Sequence, residues 1–187
     1  MMSLCSAALA ESPGGDSLND QRLYQAAEEF IQQMIQHFLV KTCGEVMQDV
    51  LNRQKINLFP EIAMQATYQA ANQLFKQDDM KDLLRDIFDE NKSQAKDEIN
   101  FGMPQAYIEL GIKKCVERDI NLIVTDPIFK YVIETMLNQA MVQQQKIVMM
   151  AAVQQQAQLM AIRQQQMIYQ QMIMQQIIQN QFQNQLR

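Results

Sequence analysis

From Leu23 onward, apolar side chains return every three or four residues: Leu23, Ala27, Phe30, Ile31, Met34, Ile35, Phe38, Val46, Met47, Val50 and Leu51. That period places them on one broad face of a helix. Ser17 or Asp20 is the expected N-cap, because either side chain can accept a bond from an unpaired first-turn N–H. Gly44 lies inside the run. A helical glycine costs about 1 kcal/mol against Ala, so this one is expected to mark a kink or a close helix contact.

Asn57-Leu-Phe-Pro60 interrupts the pattern, with Pro60 suited to a first helical position, where a missing N–H costs nothing. Ile62, Ala63, Ala66, Ala70, Leu74 and Phe75 then predict a second helix with a small-residue stripe. Asp78 is the expected cap of a third helix, with Met80, Leu83, Leu84, Ile87 and Phe88 facing inward. Its outer positions mix signs, eight acids to four bases over 78–98, as a solvated face does. Gly102-Met-Pro104 breaks the chain again. A fourth helix follows, carrying Tyr107, Ile108, Ile112, Cys115, Val116, Ile120 and Ile123. Thr125-Asp126-Pro127 reads as a stop and a restart, with Asp126 as N-cap and Pro127 as first residue.

Beyond Pro127 there is no Gly and no further Pro. A helix through to residue 187 would measure about 90 Å at 1.5 Å per residue. Its character differs from that of the rest. Nineteen Gln fall between Gln139 and Gln185, with Met, Ile, Val and Leu in most of the gaps. Val153, Met160, Met167 and Met174 lie seven apart, with Met150, Ala157, Gln164, Gln171 and Ile178 as companion positions. Leu159, Ile162, Tyr169 and Ile173 form a second register on another face. A two-stranded coiled coil wants one apolar seam flanked by charges. Here apolar groups surround the helix and the flanking charges are absent. The pattern predicts a helix contacted on more than one side, through Met150, Val153, Met160, Met167, Tyr169, Met174 and Ile178. Met adapts such a surface to imperfect partners.

Composition sharpens this division. Of 187 residues, 16 are Lys or Arg and 21 Asp or Glu, a net charge of −5. The segment 127–187 holds four bases and one acid, a net of +3, so residues 1–126 carry −8. The acidity argues against a dedicated phosphate-backbone binder, and no direct nucleic-acid contact is expected. Five Gly and four Pro are too few for the tight turns of a sandwich or barrel. Three scattered cysteines, Cys5, Cys43 and Cys115, do not form a disulfide framework; they suit a reducing interior, cytoplasmic or nuclear. The apolar start is broken by Ser3 and Ser6 and has no basic residue ahead of it, unlike a signal peptide. Gln interrupts every apolar run of the last third, so no membrane span is expected.

Candidate chemistry is sparse. The only histidine, His37, has no nucleophile or carboxylate nearby in sequence and is expected to be a partly buried structural residue. Cys43 and Cys115 fall in helical patterns as small apolar residues. Lys113, Lys114 and Arg118 read as a solvated basic edge. No phosphate-binding Gly-rich loop, paired Cys motif or nucleophile elbow is present. Asp89, Asn91, Ser93 and Asp97 stand at positions one, three, five and nine of a twelve-residue stretch, 89–100, which resembles the calcium loop of EF-hand proteins. It departs from that loop at Gln94, where Gly makes the turn, at Lys96, normally apolar, and at Asn100, normally a bidentate Glu.

The resulting expectation is an all-α protein. Residues 1–16 form a disordered leader, 17–126 an acidic helical bundle, and 127–187 a long Gln/Met-rich helix, coiled-coil-like or partly disordered. The expected role is a non-enzymatic scaffold or adaptor without cofactors. It would meet protein partners, or further copies of itself, by helix–helix packing. A helix, break, helix order with a Gln-rich end is similar to that of subunits in nuclear assemblies and of cytoskeletal coiled-coil proteins. The alternative is a calcium-responsive module built on 89–100.

Overall fold

The computed structural model describes the backbone of residues 16–185 and the side chains of 20–177. The expected leader falls almost wholly outside these residues. Five helices make up the protein: α1 (Asp16–Gln54), α2 (Pro60–Leu74), α3 (Asp78–Asn100), α4 (Gln105–Ile123) and α5 (Pro127–Gln185). The described residues contain no strand, and the all-α expectation holds.

The breaks fall where backbone chemistry puts them. Pro60 opens α2 as its first residue. Asp126 caps α5, its Oδ1 accepting the Ile128 N–H at 2.7 Å, and Pro127 follows as the first helical residue. At the end of α3, the Met103 N–H donates to the Glu98 carbonyl at 3.1 Å and the Gly102 N–H to Ile99 at 2.9 Å. This paired closure needs a left-handed residue, and Gly102 supplies it with φ of 70°. The same closure ends α1, with Ile56 N–H to Leu51 at 3.0 Å and Lys55 N–H to Asn52 at 3.3 Å. There the left-handed residue is Lys55, with φ of 55°, and its Cβ crowds the backbone.

Two expected caps are corrected. α1 begins at Asp16, just after Gly14-Gly15, so Ser17 and Asp20 lie inside the helix. The N-cap of α3 is Gln77, and Asp78 is the first helical residue. The Asp78 carboxylate accepts a bond from Lys81 at 2.7 Å instead of one from a backbone N–H.

The core gathers around α1, which packs on α2, α3 and α4, while α3 also packs on α4. With neighbours on several sides, α1 buries adjacent residues: Phe38 with Leu39, and Thr42 with Cys43. Leu39 is absent from the sequence stripe for this reason. α1 runs through Gly44, where a built Cβ would stand 3.5 Å from Thr67 Cγ2 of α2. That is ordinary van der Waals spacing, so the glycine sits at the α1–α2 contact without being required by it.

On α3 the buried stripe is Met80, Leu84, Ile87, Asn91, Ala95 and Ile99. Leu83, expected inside, is exposed, and Phe88 is half-buried with the Lys92 ammonium 5.9 Å from its ring centre. Both flank the stripe. On α4, Ile108, Ile112, Val116, Ile120 and Ile123 are buried, whereas Tyr107 is exposed, one position off that stripe. Burial continues into α5 through Phe129, Val132, Ile133, Met136, Leu137 and Ala140. The compact unit accordingly includes residues up to Ala140, and a second unit begins at Met141.

Replacing Lys55 by Gly removes the left-handed strain while keeping both closing bonds. The expected gain is about 1 kcal/mol, read as a rise of a few degrees in the thermal midpoint.

Candidate interaction surface

Within the first unit, polar ties join α1 to its neighbours. Lys41 Nζ meets Glu117 Oε1 of α4 at 2.8 Å, and Lys92 Nζ of α3 meets Glu28 Oε1 at 2.9 Å. Tyr24 Oη donates to Asn100 Oδ1 at 2.6 Å. The hydrogen bond from Lys41, followed by its charge, holds the Glu117 carboxyl below its ordinary value against some desolvation; Lys113 and His37 add smaller attractions. The bond to Glu117 in turn raises Lys41. These pairs are solvent-exposed and each contributes little. They select which helices meet more than they stabilise the meeting.

Asn91 is the buried polar residue between α3 and α4. Its Nδ2 donates to the Ile87 carbonyl at 2.8 Å and lies 3.5 Å from Asp119 Oδ2. Its Oδ1 has no hydrogen-bond partner among the described residues.

Asn91 also decides the fate of the calcium-loop resemblance. Residues 89–100 are helical throughout, as the last turns of α3. Asp89, Ser93 and Asp97 are exposed and spaced four apart along the helix, while Asn91 points into the core. A calcium loop must turn sharply to converge its oxygens on one ion, and a continuous helix does not. Gln94, where that loop has Gly, lets the helix propagate. Among the described residues no group of three or more His, Cys, Asp or Glu could hold a metal ion.

His37 is exposed, not partly buried, with its ring edge-on to Phe38 at 5.2 Å between centroids. Cys43 is fully buried, and burial pushes its thiol up to about 12. Cys115 is half-buried, with Sγ 3.5 Å from Gln94 Oε1. Lys113 and Lys114 are exposed, and Arg118 Nε donates to its neighbour Asp119 at 2.8 Å.

Several grooves indent this unit, and two are wide. One, of about 560 Å3, lies between Gln69, Gln73 and Lys76 on the α2 side and Tyr131, Thr135 and Gln139 of α5. The other, of about 250 Å3, has a floor of Ala27, Ile31 and Ala95 beneath Tyr24, Glu28, Lys92 and Lys96. The α2–α5 groove could not be read from sequence, because its amides are of a type common along the whole chain.

The second unit is a different kind of surface. From Gln145 to Ile177 every side chain is exposed. Met150, Val153, Met160, Met167, Tyr169 and Met174 are 59% to 66% exposed; the side chain of Ile178 lies outside the described residues. Leu159, Ile162 and Ile173 are also exposed, so both apolar registers face solvent on one continuous helix. Lys146 and Arg163 are the only charges between Met141 and Ile177. Met167, Gln170, Gln171, Met174 and Gln175 border a shallow depression on this helix. No helix of the described residues is long and apolar enough to cross a membrane.

No family model, no curated protein and no solved structure matches this chain.

Two outcomes test the first unit. A thiol reagent should modify Cys115 in the native protein and reach Cys43 only as fast as the protein unfolds; rapid native-state labelling of both would contradict the burial. Because folding depresses Glu117, its contribution to stability is present above its unfolded value of 4.5 and is lost as pH falls through the lower folded value. Glu117→Gln should therefore flatten the fall of the thermal midpoint between pH 5 and 3, measured by circular dichroism.

Proposed function

We propose that this protein is a non-enzymatic helical scaffold or adaptor. Its compact unit presents the continuous Gln/Met-rich helix α5 to protein partners, further copies included, in a larger nuclear or cytoskeletal assembly. The observation that carries this reading is the exposure, on every side of one unbroken helix, of large apolar side chains with almost no charge among them.

Apolar patches of this extent on a soluble surface mark interaction sites. Each Met, Ile or Leu moved out of water contributes about 1.5–3 kcal/mol, so a few such residues suffice for a stable complex once association entropy is offset. Gln amides donate and accept, and can bond laterally between neighbouring helices without the desolvation cost of a charge. The flexible Met side chains let one helix fit partners of different shape.

Proximity labelling in cells with the full chain tests this. The double variant Met160→Glu with Met167→Glu places charges in the apolar register without touching the first unit. It should lose most of the labelled neighbours while its helical circular dichroism and thermal midpoint stay unchanged. An identical set of neighbours for wild type and variant would contradict the proposal.

A further inference from the structure

We infer that the face of α5 between Met150 and Met174 is built for a second copy of this chain, packed parallel and in register. This rests on the reading of α5 as an interaction helix and names what covers one side of it. The seam consists of Val153, Met160, Met167 and Met174, alternating with Met150, Ala157, Gln164 and Gln171. These are the two core positions of a heptad, and all are exposed.

The depression on α5 supplies the geometry. Four of its bordering residues, Met167, Gln170, Gln171 and Met174, stand at i, i+3, i+4 and i+7. That is the four-residue hole into which a facing helix inserts one side chain. In a parallel pair without stagger, the side chain arriving at this level is Gln171 of the second copy. It enters a hole walled by the amides of Gln170 and Gln171, where it can donate and accept. One heptad earlier, Gln164 enters the hole formed by Met160, Arg163, Gln164 and Met167, where it meets the facing Gln164 amide beside the Arg163 guanidinium. An antiparallel pair would bring Met or Val into these holes, and a stagger of one heptad would keep only one of the two glutamine pairings. A foreign helix offering apolar groups at these levels would leave Gln164 and Gln171 without amide partners.

Charge presents the opposing effect. Lys146 occupies the same heptad position as Val153, so a parallel pair brings two ammonium groups to one level. Lys146 lies at the end of the seam, and its four-carbon stem can carry the charge out to water. Gln164 and Gln171 lie inside the seam, where an unpartnered amide has no such escape. The glutamine layers therefore decide the orientation. Area is sufficient: with Met149 and Ile168 on the flanks, the apolar side chains supply about 700 Å2 at roughly 100 Å2 each, near the ~800 Å2 per partner of stable complexes. The second register, with Ile162 and Tyr169, stays open on the far side.

The test uses the full chain with Cys5→Ser, Cys43→Ala and Cys115→Ser, its fold checked by circular dichroism and its mass by sedimentation equilibrium. Val153→Cys and Met174→Cys are added singly and oxidised mildly. A dimeric mass and self-crosslinking of both chains are expected, since each cysteine faces its own equivalent. Tyr169→Cys, on the far face, should crosslink about tenfold less, being beyond disulfide reach. A dimer in which the Val153→Cys and Met174→Cys chains fail to self-crosslink, or crosslink only when mixed, overturns the parallel register. A monomeric chain at tens of micromolar overturns the second copy altogether, and the adaptor reading then stands or falls on its own labelling experiment.

Discussion

The structure depends on one constraint: α1 must satisfy three helices at once. It packs on α2, α3 and α4, while α3 also packs on α4. A helix with one neighbour needs a narrow stripe; a helix with three needs most of its circumference. That is why Phe38 and Leu39, and Thr42 and Cys43, are buried as adjacent pairs. Gly44 stands on the side of α1 that faces Thr67 of α2. Loss of packing along α1 would release all three partners together, so the first unit should behave as one cooperative body.

α5 shows the opposite regime within a single helix. From Phe129 to Ala140 one apolar stripe is buried, with Tyr131 exposed beside it; beyond Gln144 apolar residues appear on every side and are exposed. The backbone continues unchanged across this boundary, because Gln, Met, Ala and Leu all favour helix. Burial changes because the pattern changes. A one-sided stripe can be met by a single neighbour, and an all-round distribution cannot be met within this chain. The near-absence of charge removes the usual alternative of a solvated face. The proposed roles of α5 follow from this difference in supply of neighbours.

Polar groups do different work in the two units. In the first they are ties between particular helices, such as Lys41 with Glu117 and Tyr24 with Asn100, and one buried amide, Asn91, held between α3 and α4. In the second the amides are repeated along one helix, a supply of self-complementary groups. Asn91 also shows the limit of motif reading. As part of a twelve-residue pattern it looked like an oxygen ligand; as part of a helix it belongs to the buried stripe through Ile87 and Ala95.

The amino-acid sequence by itself determined where the chain breaks between helices, though not the caps of α1 and α3, and how charge divides along the chain. Pro60, Gly102 and the Asp126-Pro127 pair act on the local backbone, through a missing N–H, a permitted positive φ and a capping carboxylate, and need no tertiary partner to act. The Gln/Met stretch was equally visible, since composition is local too. Only the tertiary structure decided which side of each helix is covered and how far. Periodicity gives the direction of an apolar face but not its width, which depends on the number of neighbours; Leu39 falls inside and Leu83 and Tyr107 outside for that reason. The cross-helix pairs and the reach of the core to Ala140 likewise depend on distances between residues far apart in sequence, which no local pattern records.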